Sequence, residues 1–243
     1  MKKCFIFAHY DRNNELKQYV IDEINLLNTI GDVLFISDCE YVSNIEKLPK
    51  LKYLQISRHN LYDAHSYKCG FEFLRDSKQL DSYDNITFVN SSILFPNCDK
   101  KIFLDCLEKM DCSDEKVYGM CKSGFLLQSY WITCKNNVYK IINTFFNNYI
   151  PAETSHVLNW WEKNKQTNER ISKYLRWYGQ REKEVGEELA KKWIYTVINF
   201  EEGISRFLCS NKIKLVALDY GTWKDSRFIT KVPREKLLEK EIF

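Results

Sequence analysis

The stretch "LKYLQISRHNLYDAHSYKCGFEFL", residues 51–74, predicts a strand that is followed directly by a helix. Residues 51–57 read as a short apolar strand, and residues 64–78 show helical spacing. The apolar face of that helix is formed by Tyr67, Phe71 and Leu74. The segment between strand and helix is densely polar. It must either fix a turn or hold a ligand, because closely packed polar groups need partners.

The same alternation of strand and helix runs through the first hundred residues. Strands are predicted at 4–10, 32–38, 51–57 and 85–90, and helices at 15–30 and 64–78. This rhythm indicates a parallel sheet covered by helices. Ligands collect at the carboxyl ends of such strands. Here those ends read "AHYD", "SDCE", "SRHN" and "VNSS", so we expect a polar, ligand-binding rim.

The second half of the chain is predicted to be more helical. Helices are expected at 100–110 and 137–149, and residues 157–208 read as almost wholly helical. Two strands joined around Ser123-Gly124 are expected within 117–136, and a last strand within 212–221. The charged tail, 233–243, is expected to be partly mobile. Without a repeat or a linker, the chain is predicted to form one α/β domain, with a mostly parallel central sheet, helices on both faces and a helical C-terminal part.

Composition narrows the function classes. A net charge of +3 over 243 residues is too small to indicate a nucleic-acid partner. The nine cysteines are scattered and form no CxxC pair, which is typical of reduced thiols in the cytosol. We find neither a signal-peptide pattern nor an apolar run near the roughly 20 residues that span a bilayer. A cytoplasmic protein is expected.

Five short motifs occur in an order that resembles the rhamnan synthesis protein F family, whose members are glycosyltransferases of bacterial surface polysaccharides. They are "FAHYD" (7–11), "R-x-N-x-x-D-x-x-S-Y-K-x-G" (58–70), "YDNITFVNSSILFP" (83–96), "LLQSYWI" (126–132) and "FEEGIS" (200–205). The resemblance covers roughly residues 3–210. It implies a GT-A type fold that binds a nucleotide-diphospho-sugar.

The implied activity is transfer of a sugar from that donor to a growing capsule or lipopolysaccharide glycan, with inversion. The implied acceptor is a glycan or lipid-linked glycan at the inner face of the cytoplasmic membrane. Residues 1–100 would form the nucleotide-sugar-binding half and residues 101–243 the acceptor-side half. A weaker alternative for the basic, aromatic segment 170–193 is peripheral docking to an anionic membrane, although its glutamates oppose this.

The expected donor-binding residues lie on the rim. They are Ala8, His9, Tyr10, Asp11, Asp38, Arg58, Asn60, Asp63, Tyr67, Asn90, Ser91 and Ser92. Arg58 and the start of the following helix suit a diphosphate, and Asp38 suits the base or ribose. Asn60 and Asp63 suit the sugar. The alternative is that Asp63 caps the helix and Arg58 pairs with it on the surface.

Two departures from the family pattern bear on the donor site. The family's Asn-Asp-Ser is Asn90-Ser91-Ser92 here, and the lost carboxylate weakens the case for Mg²⁺ or Mn²⁺. We assign no metal ligand. Where the family has Gly-Tyr-Asp-Phe-Gly, this chain has Leu-Tyr-Asp-Ala-His at 61–65. The loss of both glycines puts the local backbone conformation and the identity of the donor sugar in doubt. His9, His59 and His65 also fall on the rim. We expect them to contact phosphate or hydroxyl groups of a ligand rather than to bind zinc.

The resemblance implies one catalytic residue, Glu201, which would deprotonate the acceptor hydroxyl as a general base. Glu202 is its neighbour and competitor, and both could instead be carboxylates at a helix start. Gln128, Ser129 and Tyr130 are expected to bind the acceptor from within a strand. Tyr130 and Trp131 could equally be core packing.

Two other functions are weighed against glycosyl transfer. One is an inactive relative that binds a sugar nucleotide or glycan without turnover, motivated by Asn90-Ser91-Ser92. The other is a scaffold subunit of a polysaccharide assembly complex. Nucleotide binding without turnover would indicate the first, and absence of binding would indicate the second.

Overall fold

A computed structural model of the chain describes residues 1–111, 116–123, 126–167, 169–219 and 226–231. The strands are β1 (Lys3–His9), β2 (Asp32–Ser37), β3 (Tyr53–Ile56), β4 (Asn85–Asn90), β5 (Ile93–Leu94), β6 (Val117–Gly119), β7 (Lys122–Ser123), β8 (Leu126–Leu127), β9 (Trp131–Lys135), β10 (Leu215–Ala217) and β11 (Thr230–Lys231). The α-helices are α1 (Gln18–Asn28), α2 (Tyr62–Asp76), α3 (Lys100–Asp111), α4 (Tyr139–Asn148), α5 (Thr154–Asn164), α6 (Glu169–Val185), α7 (Glu187–Thr196) and α8 (Glu202–Ser210).

Seven strands form the central sheet in the order β10-β6-β9-β4-β1-β2-β3. Every neighbouring pair is parallel except those made by β9, which runs antiparallel to both β4 and β6. The predicted mostly parallel α/β sheet is therefore confirmed. β1 lies between β2 and β4, so the chain leaves β1 on one side and later returns on the other. A crevice for ligands opens at the carboxyl ends of strands that diverge in this way.

Alternate side chains of β1 feed two separate cores. Phe5 and Phe7 pack in the cluster that contains residues of α1 and α3. Ile6 and Ala8 pack on the other face, in the cluster that contains residues of α2, α4 and α8. Because successive strand residues point to opposite faces, one buried strand can serve both cores. Helices thus cover both faces of the sheet, as predicted.

The predicted helical C-terminal part is also confirmed. Helices α5, α6 and α7 and the residues directly after α7 share a small core formed by Trp161, Ile171, Ile194 and Ile198. The chain then passes through a π-helical turn, Val197–Glu201, before α8 begins. Helix α8 returns to the main core through Ile204 and Leu208. Two-residue strands β5 and β11 pair antiparallel, which brings the segment 226–231 next to the residues that follow β4.

Two local predictions are corrected by the structure. Helix α2 begins at Tyr62 rather than at residue 64, so Asp63 is its second residue. Gln128, Ser129 and Tyr130 form the connection between β8 and β9 instead of lying within a strand. There the Ser129 carbonyl accepts a hydrogen bond from the Tyr67 hydroxyl at 3.2 Å, a side-chain partner in place of a strand neighbour. Gly124 and the tail 233–243 lie outside the described residues.

Within the described ranges, none of the helices combines the length and the apolar character needed to cross a bilayer. Eight of the nine cysteines lie within those ranges, and all eight carry free thiols. Cys112 lies outside the described residues.

Helix α2 packs unusually close to the sheet at Gly70. A Cβ atom built there would lie 2.5 Å from Ile6 Cγ2 and 2.9 Å from Ile36 Cδ1, and both isoleucines are fully buried. We expect Gly70→Ala to destabilise the protein, because overpacking a closed core costs about 1–3 kcal/mol, more than the roughly 1 kcal/mol that alanine gains in a helix. Urea unfolding measures this change.

Gly179 in α6 provides the matched control. A Cβ atom there would meet no heavy atom within 4 Å. Gly179→Ala should therefore raise the free energy of unfolding by up to about 1 kcal/mol. Equal effects of the two substitutions would contradict the close approach of α2 to the sheet.

Candidate functional site

Asp38, immediately after β2, organises the loop that joins β3 to α2. Its Oδ1 accepts hydrogen bonds from the backbone N–H groups of His59 at 2.7 Å and Asn60 at 2.9 Å. The carboxylate is nearly fully buried. Its own N–H donates to the His9 carbonyl at 2.8 Å, which ties the loop to the end of β1. Asp38 lies on the predicted rim, and its Oδ1 is used to hold the loop.

The side chains of Asp38, His59 and Ser66 lie in a row that superficially resembles a hydrolase triad. His59 Nδ1 is 3.2 Å from Asp38 Oδ2, and Nε2 is 3.1 Å from Ser66 Oγ. Nδ1 also lies 3.1 Å from the backbone nitrogen of Leu61, whose N–H it accepts when the proton of the neutral ring is on Nε2. Burial lowers the pKa of His59 and favours this neutral form, although Asp38 opposes it. Ser66 is only 1% exposed, so no substrate reaches its hydroxyl.

Two residues of the loop adopt left-handed backbone conformations. The φ angles are 56° at Asn60 and 64° at Tyr62. Such a conformation is unfavourable for an aromatic residue and marks a segment that its surroundings hold in place. The Tyr62 hydroxyl donates to the Leu189 carbonyl at 3.0 Å and so joins the loop to α7. Leu61, by contrast, has a φ of −119°, so the glycine expected there is not required.

Arg58 presents its charge at the outer edge of the rim. Its Nε donates to Asn60 Oδ1 at 2.9 Å, and its guanidinium lies 5.8 Å from the centre of the Tyr10 ring. Tyr10 is 52% exposed. Within the described part of the chain Arg58 forms no ion pair, so the alternative of a surface pair with Asp63 is wrong. The exposed cation and ring form a platform suited to an anionic, aromatic ligand.

Asn90, the last residue of β4, fixes the carboxylate of Asp63. Its Nδ2 donates to Asp63 Oδ2 at 2.5 Å. Both the hydroxyl and the backbone N–H of Ser92 donate to Asn90 Oδ1, at 2.5 and 3.2 Å, so the amide has one orientation. Asp63 Oδ1 accepts the Ala64 N–H at 3.0 Å. Asp63 is therefore held by β4 across the crevice, in place of the helix-capping role considered from the sequence.

The remaining rim residues of the first strand are mostly structural. His9 is 2% exposed, stacks on Phe35 and bonds to Ser37 Oγ through Nδ1 at 2.9 Å. The structure thus places its side chain in the core. Ala8 is buried and accepts the Ser91 N–H at 3.0 Å through its carbonyl. Asp11 Oδ1 accepts the N–H groups of two residues of the following turn.

The negative charges of Asp63 and Glu201 both affect the hydroxyl groups of three buried tyrosines, Tyr67, Tyr130 and Tyr149. Burial, followed by the negative charges of Asp63 and Glu201, raises the pKa of Tyr67. For Tyr130 the order is burial, Glu201 and Asp63, and for Tyr149 burial again comes first. Asp63, at the start of α2, and Glu201, in the π-helical turn, therefore lie near the same group of buried tyrosines, and the five residues Asp63, Tyr67, Tyr130, Tyr149 and Glu201 are named the acidic pocket here.

The structure separates the two neighbouring glutamates. Glu202 is buried and accepts hydrogen bonds from the Tyr174 hydroxyl, from Lys173 Nζ at 3.1 Å and from Arg206 Nη2 at 3.0 Å. Burial alone would raise the pKa of Glu202, but these three donors outweigh it and lower the pKa. Glu201 is only partly buried and closes the π-helical turn. Such turns are frequent at functional sites.

Among the predicted acceptor residues, Tyr130 borders the acidic pocket and Ser129 is buried beside it. Gln128 is half-buried, and its backbone N–H bonds to the Cys121 carbonyl at 3.1 Å. Tyr149, directly after α4, is a further member of the acidic pocket that sequence reasoning did not identify. It lies in no motif, so only the tertiary fold reveals it.

Divalent cations such as Mg²⁺ and Mn²⁺ are held in proteins by clustered oxygen ligands. No cluster of three His, Cys, Asp or Glu side chains in those ranges has the arrangement of a metal site. The two rim carboxylates, Asp38 and Asp63, already accept hydrogen bonds from backbone N–H groups or from Asn90.

No family model and no curated protein matches this chain. Among solved structures it resembles a cytidylyltransferase from Leptospira borgpetersenii serovar Hardjo-bovis, with 12% identity, a TM-score of 0.38, and coverage of 68% of this chain and 73% of that one. It also resembles A197 from STIV, with 10% identity, a TM-score of 0.31, and coverage of 62% and 69%. Likenesses this distant do not bear on activity, so the resemblance to rhamnan synthesis protein F stays a prediction.

The buried His9 gives the stability of this edge a defined pH dependence. Burial lowers its pKa from 6.5 to about 4. The unfolded chain therefore takes up a proton below pH 6.5 that the folded protein refuses, and stability is lost as the pH falls from 6.5 to 4. This loss has a slope of up to about 1.4 kcal/mol per pH unit. We expect the His9→Gln variant to lack this contribution when the free energy of unfolding is measured by urea denaturation at several pH values between 4 and 6.5. The same dependence of stability on pH in the two proteins would contradict the prediction.

Proposed function

We propose that this protein is a cytoplasmic glycosyltransferase that moves a sugar from a nucleotide-diphospho-sugar to a hydroxyl of a glycan or lipid-linked glycan. The observation that carries the proposal is the placement of Glu201. Glu201 and Asp63 both act on the buried Tyr67 and Tyr130, and Asn90 holds Asp63 at the carboxyl end of β4. The order of the sequence motifs supports a GT-A type enzyme of capsule or lipopolysaccharide synthesis.

The donor would lie along the rim from Tyr10 to the start of α2. The exposed Tyr10 ring offers a surface on which a nucleobase can stack. Arg58 beside it and the N-terminus of α2 provide positive charge for the diphosphate. Asp63, held by Asn90, is positioned to accept hydrogen bonds from the transferred sugar. Asp38 contributes indirectly, because it holds the backbone of the loop that carries Arg58 and Asn60.

The reaction transfers one proton and releases one leaving group. As the bond between the anomeric carbon and the diphosphate oxygen breaks, the acceptor hydroxyl forms the new glycosidic bond and its proton passes to the Glu201 carboxylate. The nucleoside diphosphate leaves with the bonding electrons, and its growing negative charge is stabilised by Arg58 and the α2 N-terminus. Attack from the face opposite the leaving group gives the inversion that the family resemblance implies.

Arg58→Ala tests donor binding. The loss of a charge-assisted contact should weaken the affinity for the best-binding nucleoside diphosphate by roughly 10- to 100-fold, with little change in melting temperature because the side chain is exposed. Calorimetric titration with UDP, GDP, CDP and dTDP measures this. Arg75→Ala, at the far end of α2, is the control and should bind as the wild type does. Unchanged binding in Arg58→Ala would make the loop purely structural.

Glu201→Gln tests the base. The substitution keeps the shape of the side chain and removes its proton affinity, so donor binding should survive while turnover falls by roughly 10²- to 10⁴-fold. Release of nucleoside diphosphate in the presence of acceptor measures turnover. Glu202→Gln should instead lower the melting temperature, because Lys173 and Arg206 lose a charged partner.

The outcomes separate the rival functions. A large loss of turnover at Glu202 with none at Glu201 would move the base by one residue. Nucleotide binding without turnover in the wild type would indicate a binding relative, and no nucleotide binding would indicate a scaffold subunit.

A further inference from the structure

A group of buried polar side chains lies between the sheet and α3, at the amino-terminal ends of β1 and β4. Its centre is the carboxylate of Asp111, the last residue of α3. Asn85 Nδ2 donates to Asp111 Oδ1 at 2.7 Å, and the Tyr118 hydroxyl donates to the same oxygen at 3.3 Å. Lys3 Nζ forms an ion pair with Asp111 Oδ2. The carboxylate is thus held by donors from β1, β4 and β6.

The carbonyl oxygen of Asn85 is left without a partner. Asn85 is 2% exposed, and its Oδ1 accepts no hydrogen bond from the described residues. Exchanging the two ends of the amide does not remove the problem, because Oδ1 would then face the Asp111 carboxylate and the buried nitrogen would have no acceptor. An unpaired buried carbonyl is unfavourable, so this oxygen needs a donor that the neighbouring side chains do not supply.

A pair of threonines in the same group has one hydroxyl hydrogen to spare. Thr87 and Thr133 lie opposite each other on β4 and β9, with their Oγ1 atoms 2.9 Å apart. Thr133 Oγ1 also accepts the indole N–H of Trp131 at 3.2 Å. One threonine donates to the other, so the second keeps a hydrogen for which the described residues provide no acceptor. The group therefore contains one unused acceptor and one unused donor.

A cavity of about 10 Å³ lies among these side chains. Its polar wall is formed by Lys3, Asn85, Thr87, Asp111, Tyr118 and Thr133. A cavity holds a water molecule from roughly 10–15 Å³ upward, provided that the water finds two to four polar partners. Both conditions are met here by a single water molecule, and the volume leaves no room for a larger ligand.

We propose that this cavity is the binding site of one internal water molecule that belongs to the fold. The water donates to Asn85 Oδ1, and its oxygen accepts the spare hydroxyl hydrogen of the Thr87–Thr133 pair. Lys3 Nζ, with further hydrogens beyond its ion pair, is a second donor in the wall. Burial closes the site to a sugar or a nucleotide but not to water, which enters when the protein opens locally.

The water would join β4, β9 and α3 through one set of hydrogen bonds. It would also hold the Asn85 amide in the orientation that presents Nδ2 to Asp111. The site is independent of the proposed function, because it lies at the amino-terminal ends of the strands and the candidate site lies at their carboxyl ends.

A crystal structure of the wild-type protein, at a resolution that shows ordered water, tests the site directly. One water molecule should lie about 2.5–3.0 Å from Asn85 Oδ1 and at a similar distance from Thr87 or Thr133 Oγ1. An empty cavity would overturn the proposal. So would a Lys3 ammonium group within about 3.2 Å of Asn85 Oδ1, because the lysine would then be the donor that this oxygen needs.

Magnetic relaxation dispersion of water ¹⁷O counts, in solution, the internal waters that stay longer than the protein takes to tumble. Asn85→Leu keeps the branched shape of the side chain and removes the carbonyl, so this variant should hold one long-lived water fewer than the wild type. Asn148→Leu, at an exposed position that ends α4, is the control and should leave the count unchanged. Equal counts in Asn85→Leu and the wild type would contradict the site. Asn85→Leu also loses the bond to Asp111, and if it does not fold, the wild-type crystal structure decides by itself.

Discussion

The buried carboxylate of Asp38 is the constraint on which the donor side of the site depends. Its bonds to two consecutive N–H groups fix the loop after β3, and that loop sets where α2 begins. The same helix carries Asp63 into reach of Asn90 and Tyr67 into the core between sheet and helices. A buried carboxylate without those donors would be strongly unfavourable, so loop and carboxylate stabilise each other.

The fold was predictable where hydrophobic periodicity is strong. The four parallel strands of the first half are visible in the sequence as apolar runs that end in polar residues. Strand β4 was predicted with its observed bounds. The strands within 117–136 were not predicted with their observed bounds, because some are only two residues long. Backbone groups there also bond to side chains, as the Ser129 carbonyl does to the Tyr67 hydroxyl. The start of α2 was missed because its first residue, Tyr62, has a left-handed φ of 64°, which helical periodicity does not predict.

The site was partly predictable, for a related reason. Motif positions identified Asp63, Asn90 and Glu201, and the fold brings Asp63 into contact with Asn90 and into one acidic pocket with Glu201. Sequence alone did not show that His9 faces the core, since a rim and a core histidine look alike in a strand. Tyr149 was also missed, because an aromatic residue at a helix end is ordinary and only tertiary contacts distinguish it.

The π-helical turn at Val197–Glu201 has a consequence for how relatives of this chain should be aligned. A π turn amounts to one residue inserted into an α-helix: the wider turn takes up the extra residue, and both flanks stay helical. A homologue without that extra residue would need a one-residue gap here. If the gap were placed one position away, the pocket-facing glutamate would be equated with the one that pairs with Lys173 and Arg206. An identical glutamate in this column of a sequence alignment is therefore not enough to assign it the same role in another protein.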